Sequence, residues 1–153
     1  MKSAIVTGGA DGLGAEIAKS LSCNGYRVGI IDICEKLAQE TAASIVNAMA
    51  ITADITDASQ VAAAFDAFGE TPDLLVNNAG IVRFGPMEEQ SVDDFVSVIN
   101  VNLLGSCLCA RPAAIGMLQR GSGHIINITS INGLHPAPDV GLYGGTKAAM
   151  ANI

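Results

Sequence analysis

At 153 residues the chain is one domain by length, residues 1–153, and long enough to bury a substantial core. Half of it is hydrophobic and 15% charged, with 17 glycines and no tryptophan, which excludes disorder and suits tight helix-on-sheet packing. A net charge of −7, with eight Lys and Arg scattered along the chain, argues against nucleic acid as a partner.

The predicted elements alternate from the start. Ala4 to Thr7 is a β-prone run ending in Gly8 and Gly9, and Gly12 to Cys23 has helical spacing with Leu13, Ile17 and Leu21 in register. Arg27 to Asp32 is a second strand and Glu35 to Val46 a second helix. A third strand, Ala48 to Thr52, precedes Asp54, and a helix is expected over Ala58 to Phe68. Leu74 to Asn77 is a fourth strand, Val92 to Leu118 a long helical stretch, and His124 to Thr129 a fifth strand. Pro112 falls inside the long helix and is expected to kink it. Short apolar strands alternating with helices predict βαβ units: an α/β fold with a doubly wound, Rossmann-type parallel sheet in strand order 3-2-1-4-5.

Cys23, Cys34, Cys107 and Cys109 form no C-x-x-C pair and have no His at zinc spacing, so they read as reduced packing thiols and no metal site is expected. The N-terminal apolar run is too short for a signal peptide or a membrane span. The expectation is a soluble, cytoplasmic protein with no membrane partner.

In an open parallel sheet, ligands bind at the carboxyl ends of the strands, and the polar motifs fall there. The first strand runs into Thr7-Gly8-Gly9-Ala10-Asp11-Gly12-Leu13-Gly14 and then a helix. Such a turn lets backbone amides approach a pyrophosphate, which the helix N-terminus favours electrostatically. A purely structural tight turn is the alternative for this motif taken alone. Asp32 ends the second strand 18 residues after Gly14, where a carboxylate can bond the adenosine ribose hydroxyls or simply cap the strand. As a ribose ligand it would repel a 2′-phosphate, favouring NAD over NADP by about a hundredfold or more, and Asp11 adds to that bias. Tyr143 and Lys147, at i and i+4, share one face of a helical turn. A cation about 4 Å from a phenol supplies roughly 4 kcal/mol at an effective dielectric of about 20, enough to make an acid/base catalyst of it near neutrality.

Thr7-Gly8-x-x-x-Gly12-x-Gly14, Asn77-Asn78-Ala79-Gly80, Tyr143-x-x-x-Lys147, and Ser130 placed 13 residues before the tyrosine resemble the short-chain dehydrogenase/reductase family in order and spacing. The resemblance implies a nicotinamide cofactor held by Thr7, Gly8, Asp11, Gly12, Leu13, Gly14, Asp32, Asp54, Ile55, Asn78, Ala79 and Gly80, together with Tyr143 and Lys147. Tyr143 would be the acid/base, Lys147 would tune it and bind the nicotinamide ribose, and Ser130 would hold the substrate oxygen. Asn102 matches the asparagine whose irregular helix holds a relay water, whereas Asn100 reads as structural. Thr146 stands where the family commonly has serine, and His135 reads as a surface or pocket-rim residue.

The implied function is an NAD-dependent oxidoreductase acting on a secondary alcohol or ketone, of sugar, polyol or hydroxyacyl type. The resemblance also implies a homodimer or homotetramer built on the long helix and the Tyr143 helix in the full-length protein. The family pattern continues beyond Ile153 with two further strands and a substrate-covering segment. The expectation is therefore a C-terminally truncated member whose fifth strand is an exposed edge. The alternative function is a non-catalytic NAD-binding fragment or regulatory pseudoenzyme.

Overall fold

The computed structural model describes residues 1–153. Five parallel strands, β1 (Lys2–Thr7), β2 (Tyr26–Asp32), β3 (Ala48–Thr52), β4 (Leu74–Asn77) and β5 (His124–Asn127), form one sheet in the order β3-β2-β1-β4-β5. The expected doubly wound topology is what the chain adopts. Helices α1 (Gly12–Cys23), α2 (Glu35–Ala43), α3 (Ala58–Phe68), α4 (Val92–Ile99), α5 (Ser106–Arg120) and α6 (Gly141–Met150) complete the layers.

Each central strand is apolar on both faces because both are covered. Ile5, Ile31 and Leu75 enter one core with Val61, Ala64 and Phe68 of α3 and Cys109, Ala113 and Met117 of α5. Their neighbours Val6, Ile30 and Val76 point the other way, onto Ala18 of α1 and Ala38 and Ala42 of α2. This period-two split follows from the pleat. Burial also pushes the Cys109 thiol up to about 12, as expected for a packing cysteine in apolar surroundings. Small residues set the helix-to-sheet distance: a Cβ on Gly29 would sit 2.7 Å from the Phe68 ring.

The helices are stopped by local chemistry. Asp57 caps α3 by accepting from the Ser59 and Gln60 amides at 2.8 and 3.2 Å, and bonds from the Ser59 and Gln60 side chains, with these amides, lower its carboxyl to about 2. A capping box between Ser91 and Asp94 starts α4. Gly69 and Gly121, in left-handed conformations, end α3 and α5.

Beyond shifts of one or two residues at other element ends, the structure departs from the sequence expectations as follows. The second helix ends at Ala43, not Val46, because Ser44 Oγ takes the Thr41 carbonyl at 2.7 Å and Asn47, at φ 56°, turns the chain into β3. The fifth strand ends at Asn127, although Ile128 N still bonds the Asn77 carbonyl at 2.9 Å. The last helix, expected to start at Tyr143, begins at Gly141. The long helical stretch is interrupted by a π-helical segment at Asn100–Gly105, while α5 continues through Pro112. By length and composition Val92–Arg120 could cross a membrane, but here α5 packs on β4 and β5 beside α3 as a layer of the domain.

Candidate active site

Two clefts open over the carboxyl ends of the strands and share Gly8, Asp32, Ala79 and Gly80. The polar one, about 400 Å³, is lined by Asp11, Gly12, Leu13 and Gly14 at the start of α1, with Asn78 opposite. The apolar one, about 350 Å³, lies between Ile31, Ile33, Ala53, Ile55, Ile81 and Val101, with Asp54 on its wall.

The polar cleft depends on backbone conformations that glycine adopts. Gly8 and Gly12 have φ of 61° and 52°, values that cost a side-chain-bearing residue strain. A Cβ on Gly14 would collide with the Gly8 carbonyl oxygen and sit 2.5 Å from Asn78 Nδ2, so only glycine lets α1 begin this close to β1. Asp11 Oδ1 accepts from the Gly12 amide at 2.6 Å and caps α1.

Asp32 ends β2 with both oxygens engaged. Oδ2 accepts from the Ala10 amide at 3.2 Å and Oδ1 from the Cys34 amide at 3.0 Å. The carboxylate is therefore held at the junction of the two clefts. Asp54 Oδ1 accepts from the amide and hydroxyl of Thr56, both at 2.8 Å, which fixes the β3 end.

The first asparagine-rich turn braces the sheet. Thr7 lies outside both cleft linings, 1% exposed; its Oγ1 accepts from the Asn78 and Ala79 amides, each at 3.1 Å. Asn78 Nδ2 donates to the Thr7 and Gly8 carbonyls at 3.0 Å. Asn77 Nδ2 donates to Asn127 Oδ1 at 2.9 Å, tying β4 to β5.

A second cluster lies at the same end of the sheet. Asn102, in the π-helical segment and fully buried, accepts from the Ile81 amide at 2.7 Å and donates to the Ile81 carbonyl at 2.9 Å and Thr146 Oγ1 at 3.1 Å. Thr146 in turn donates to the Tyr143 carbonyl at 2.8 Å, so the π segment grips the first turns of α6. Lys147, 3% exposed, donates to the Ile128 carbonyl at 2.8 Å. Burial pushes its ammonium below the usual lysine range. Its Nζ stands 5.8 Å from the centre of the Tyr143 ring, lodged against the end of β5.

Gly80 connects the clefts to this cluster: a Cβ there would lie 3.3 Å from both Asn102 Oδ1 and Lys147 Nζ. Ser130 follows β5 and caps a 3-10 turn, Ile131–Gly133, that packs directly on α6. That approach requires two glycines. A Cβ on Gly133 would meet Lys147 C and Ala148 N at 2.9 Å, and one on Gly144 would meet the Asn132 carbonyl oxygen at 2.6 Å. His135 is exposed beyond this turn.

The structure thus brings Asp32, Asp54, Ile55 and Gly8–Gly14 together around the clefts, and Asn102, Thr146 and Lys147 into one buried polar cluster beside Ser130's turn. Sequence reasoning missed Ile31, Ile33, Ala53, Ile81 and Val101 as cleft walls. Their signal was position alone, each at or beside the carboxyl end of a strand or next to a recognised motif.

A polar cleft at a helix N-terminus, an apolar cleft beside it and a carboxylate between them fit a dinucleotide with its pyrophosphate, adenine and ribose. Residues 2–153 match the short chain dehydrogenase family. The chain is 38% identical to a 2,5-dichloro-2,5-cyclohexadiene-1,4-diol dehydrogenase of Sphingobium indicum, over 97% of this chain and 62% of that protein. It is also 38% identical to a 3-oxoacyl-[acyl-carrier-protein] reductase of Staphylococcus aureus, over 99% of this chain and 65% of that one. A solved 3-ketoacyl-(acyl-carrier-protein) reductase from Brucella melitensis, complexed with NADH, superposes with a TM-score of 0.93 at 31% identity, covering 99% of this chain and 66% of that one. The chain thus spans a little under two thirds of the length of these relatives. With its sheet order, its glycine turn and its Tyr143–Lys147 helix, the chain belongs to the short-chain dehydrogenase family.

Proposed function

We propose that the chain is the cofactor-binding and catalytic part of an oxidoreductase that interconverts a secondary alcohol and a ketone with NAD, in preference to NADP. The observation that carries this reading is the junction at Gly80, where the Asp32 clefts meet the Asn102–Lys147 cluster at one end of the sheet. The NADH bound to the Brucella relative supports the choice of a nicotinamide cofactor.

The residues divide the labour. Gly8, Gly12, Leu13 and Gly14 present backbone at the α1 N-terminus to a pyrophosphate. Asp32 accepts from ribose hydroxyls and repels a 2′-phosphate. Ala53, Asp54, Ile55, Ile81 and Val101 wall the adenine, with Ala79 and Gly80 at the passage toward Lys147. Bound NAD supplies the hydride acceptor for the alcohol carbon, chemistry that no side chain provides. Ser130 Oγ donates to the substrate oxygen and holds it for Tyr143. In oxidation Tyr143 takes the proton that the alcohol oxygen loses; in reduction it gives that proton back. Lys147 keeps positive charge beneath the Tyr143 ring, and Asn102 holds the π segment against α6 through Thr146.

Substrates of sugar, polyol or hydroxyacyl type, a cytoplasmic setting and a homo-oligomeric assembly belong to the same reading. They draw on family likeness and on the diol and acyl substrates named for the relatives.

A second reading, an NAD-binding piece without turnover, is favoured by β5, an edge strand whose Ile126 is 47% exposed. Titrating NAD into the chain and then offering a panel of secondary alcohols separates the two. NADH formation supports the enzyme; saturable NAD binding with no turnover supports the second reading; no NAD binding sinks both.

A further inference from the structure

Ala10 sits at the centre of the glycine-rich turn, 3% exposed, between two glycines in left-handed conformations. Both of its backbone groups are held by side chains from outside the turn. Its amide donates to Asp32 Oδ2 at 3.2 Å, and its carbonyl accepts from Thr41 Oγ1 at 2.6 Å. Thr41 belongs to no motif. It is the only β-branched residue in α2, whose sequence is Glu-Lys-Leu-Ala-Gln-Glu-Thr-Ala-Ala. A β-branched residue is a poor helix former, and a helical threonine commonly turns its hydroxyl back onto its own helix. Here the hydroxyl reaches 31 positions back along the chain to the cofactor turn.

From this geometry we infer that Thr41 is a positioning residue for the cofactor: its hydroxyl clamps Ala10 and so holds the pyrophosphate turn and the Asp32 carboxylate in the binding-competent arrangement. The affinity half of the inference rests on the NAD reading above. Gly8 is pinned to the Ile31 carbonyl at 2.8 Å and to Asn78 Nδ2 at 3.0 Å, so beyond it the turn's competent population depends on the two bonds that fix Ala10. Asp32 supplies one anchor and itself lines both clefts; Thr41 supplies the other from outside both cleft linings. Loosening the turn lowers the competent fraction, and apparent affinity falls by that fraction.

The test compares Thr41→Val, Thr41→Ser and Ser44→Ala in the whole chain, by calorimetric NAD titration and by amide hydrogen exchange at Ala10 without cofactor. Ser44→Ala removes a bond of similar length at the end of the same helix, from Ser44 Oγ to the Thr41 carbonyl, without touching the turn. The expected result is about tenfold weaker NAD binding and about tenfold faster Ala10 exchange in Thr41→Val, the effect of one lost hydrogen bond. Thr41→Ser should restore both, and Ser44→Ala should leave both within about twofold of the unaltered chain. Thr41→Ala serves in place of the valine variant if that one does not fold. Unchanged Ala10 exchange overturns the clamp; so does a serine variant as weak as the valine one, because the hydroxyl then does nothing. Faster exchange with unchanged NAD affinity overturns the affinity role alone. If the unaltered chain does not bind NAD, the cofactor reading fails and takes the affinity role with it, while the exchange rates still decide the clamp.

Discussion

Replacing Asn102 by leucine, close to it in shape, removes the one side chain that joins the loop after β4, the π segment and α6. Three bonds go: from the Ile81 amide at 2.7 Å, to the Ile81 carbonyl at 2.9 Å and to Thr146 Oγ1 at 3.1 Å. Thr146 still donates to the Tyr143 carbonyl, so its loss is partial. The two Ile81 groups lose their side-chain partner beside a site that is 0% exposed. Each buried unpaired group costs about 1–3 kcal/mol, so the expected loss is about 4 kcal/mol. Set against a domain stability of about 5–15 kcal/mol, that is a large fraction. Urea unfolding followed by circular dichroism reads it as a lower midpoint at unchanged slope. Asn100→Leu, two residues earlier at a half-buried position, is the control and should cost under about 1 kcal/mol. If Asn102→Leu also costs under about 1 kcal/mol at unchanged slope, the bracing role assigned to this residue is wrong.

Asp32→Ala should shift the NADP-to-NAD affinity ratio by about a hundredfold toward NADP, since a carboxylate near a phosphate costs about 4 kcal/mol per unit charge before screening. Competitive titration of the two cofactors measures this, and a shift under about threefold would remove Asp32 as the discriminator. Lys147 gives a pH signature with a definite sign. Burial holds its folded pKa below the ordinary lysine value of 10.5, so between the two values the unfolded chain binds more protons than the folded one. Its contribution therefore makes stability rise with pH through that window, by up to about 1.4 kcal/mol per unit, and its cost is fully present below the folded pKa. Urea midpoints against pH should show this slope, and Lys147→Met should flatten it; an unchanged slope contradicts the assignment. A thiol reagent applied to the folded chain at neutral pH should modify the exposed Cys23 and Cys34 and spare Cys109 until urea is added. Mass spectrometry of digests counts the labels, and early modification of Cys109 would contradict its burial.

The alternation of strands and helices was legible because each strand is a short apolar run and each helix carries its own spacing. Its termini were less so, since they depend on contacts made in three dimensions. Ser44 ends α2 by bonding the Thr41 carbonyl, and no propensity marks that serine apart from the others. The π segment at Asn100–Gly105 was invisible as geometry, because its residues keep an apolar helical pattern. Only family likeness pointed to an irregular helix at Asn102. Pro112 is the residue that composition marks for a kink, yet the break in α geometry lies upstream of it, at Asn100–Gly105. Strand ends and motif spacing pointed to Asp32 and to the Tyr143–Lys147 pair, and family likeness added Asn102 and Ser130. None of these could place the lysine's partner, the Ile128 carbonyl, since a backbone oxygen carries no sequence signature. Thr41 escaped for a related reason: its bond to Ala10 exists only once α2 has packed beside the glycine turn.

The central claim is that Tyr143 moves the proton in an NAD-dependent oxidation. The most direct measurement is the rate of NADH formation from secondary alcohols by the chain and by Tyr143→Phe, with the NAD dissociation constant measured on both. Turnover should fall by about 10²–10⁴-fold in the phenylalanine variant while NAD affinity changes less than about threefold. Turnover left unchanged by that substitution would contradict the claim.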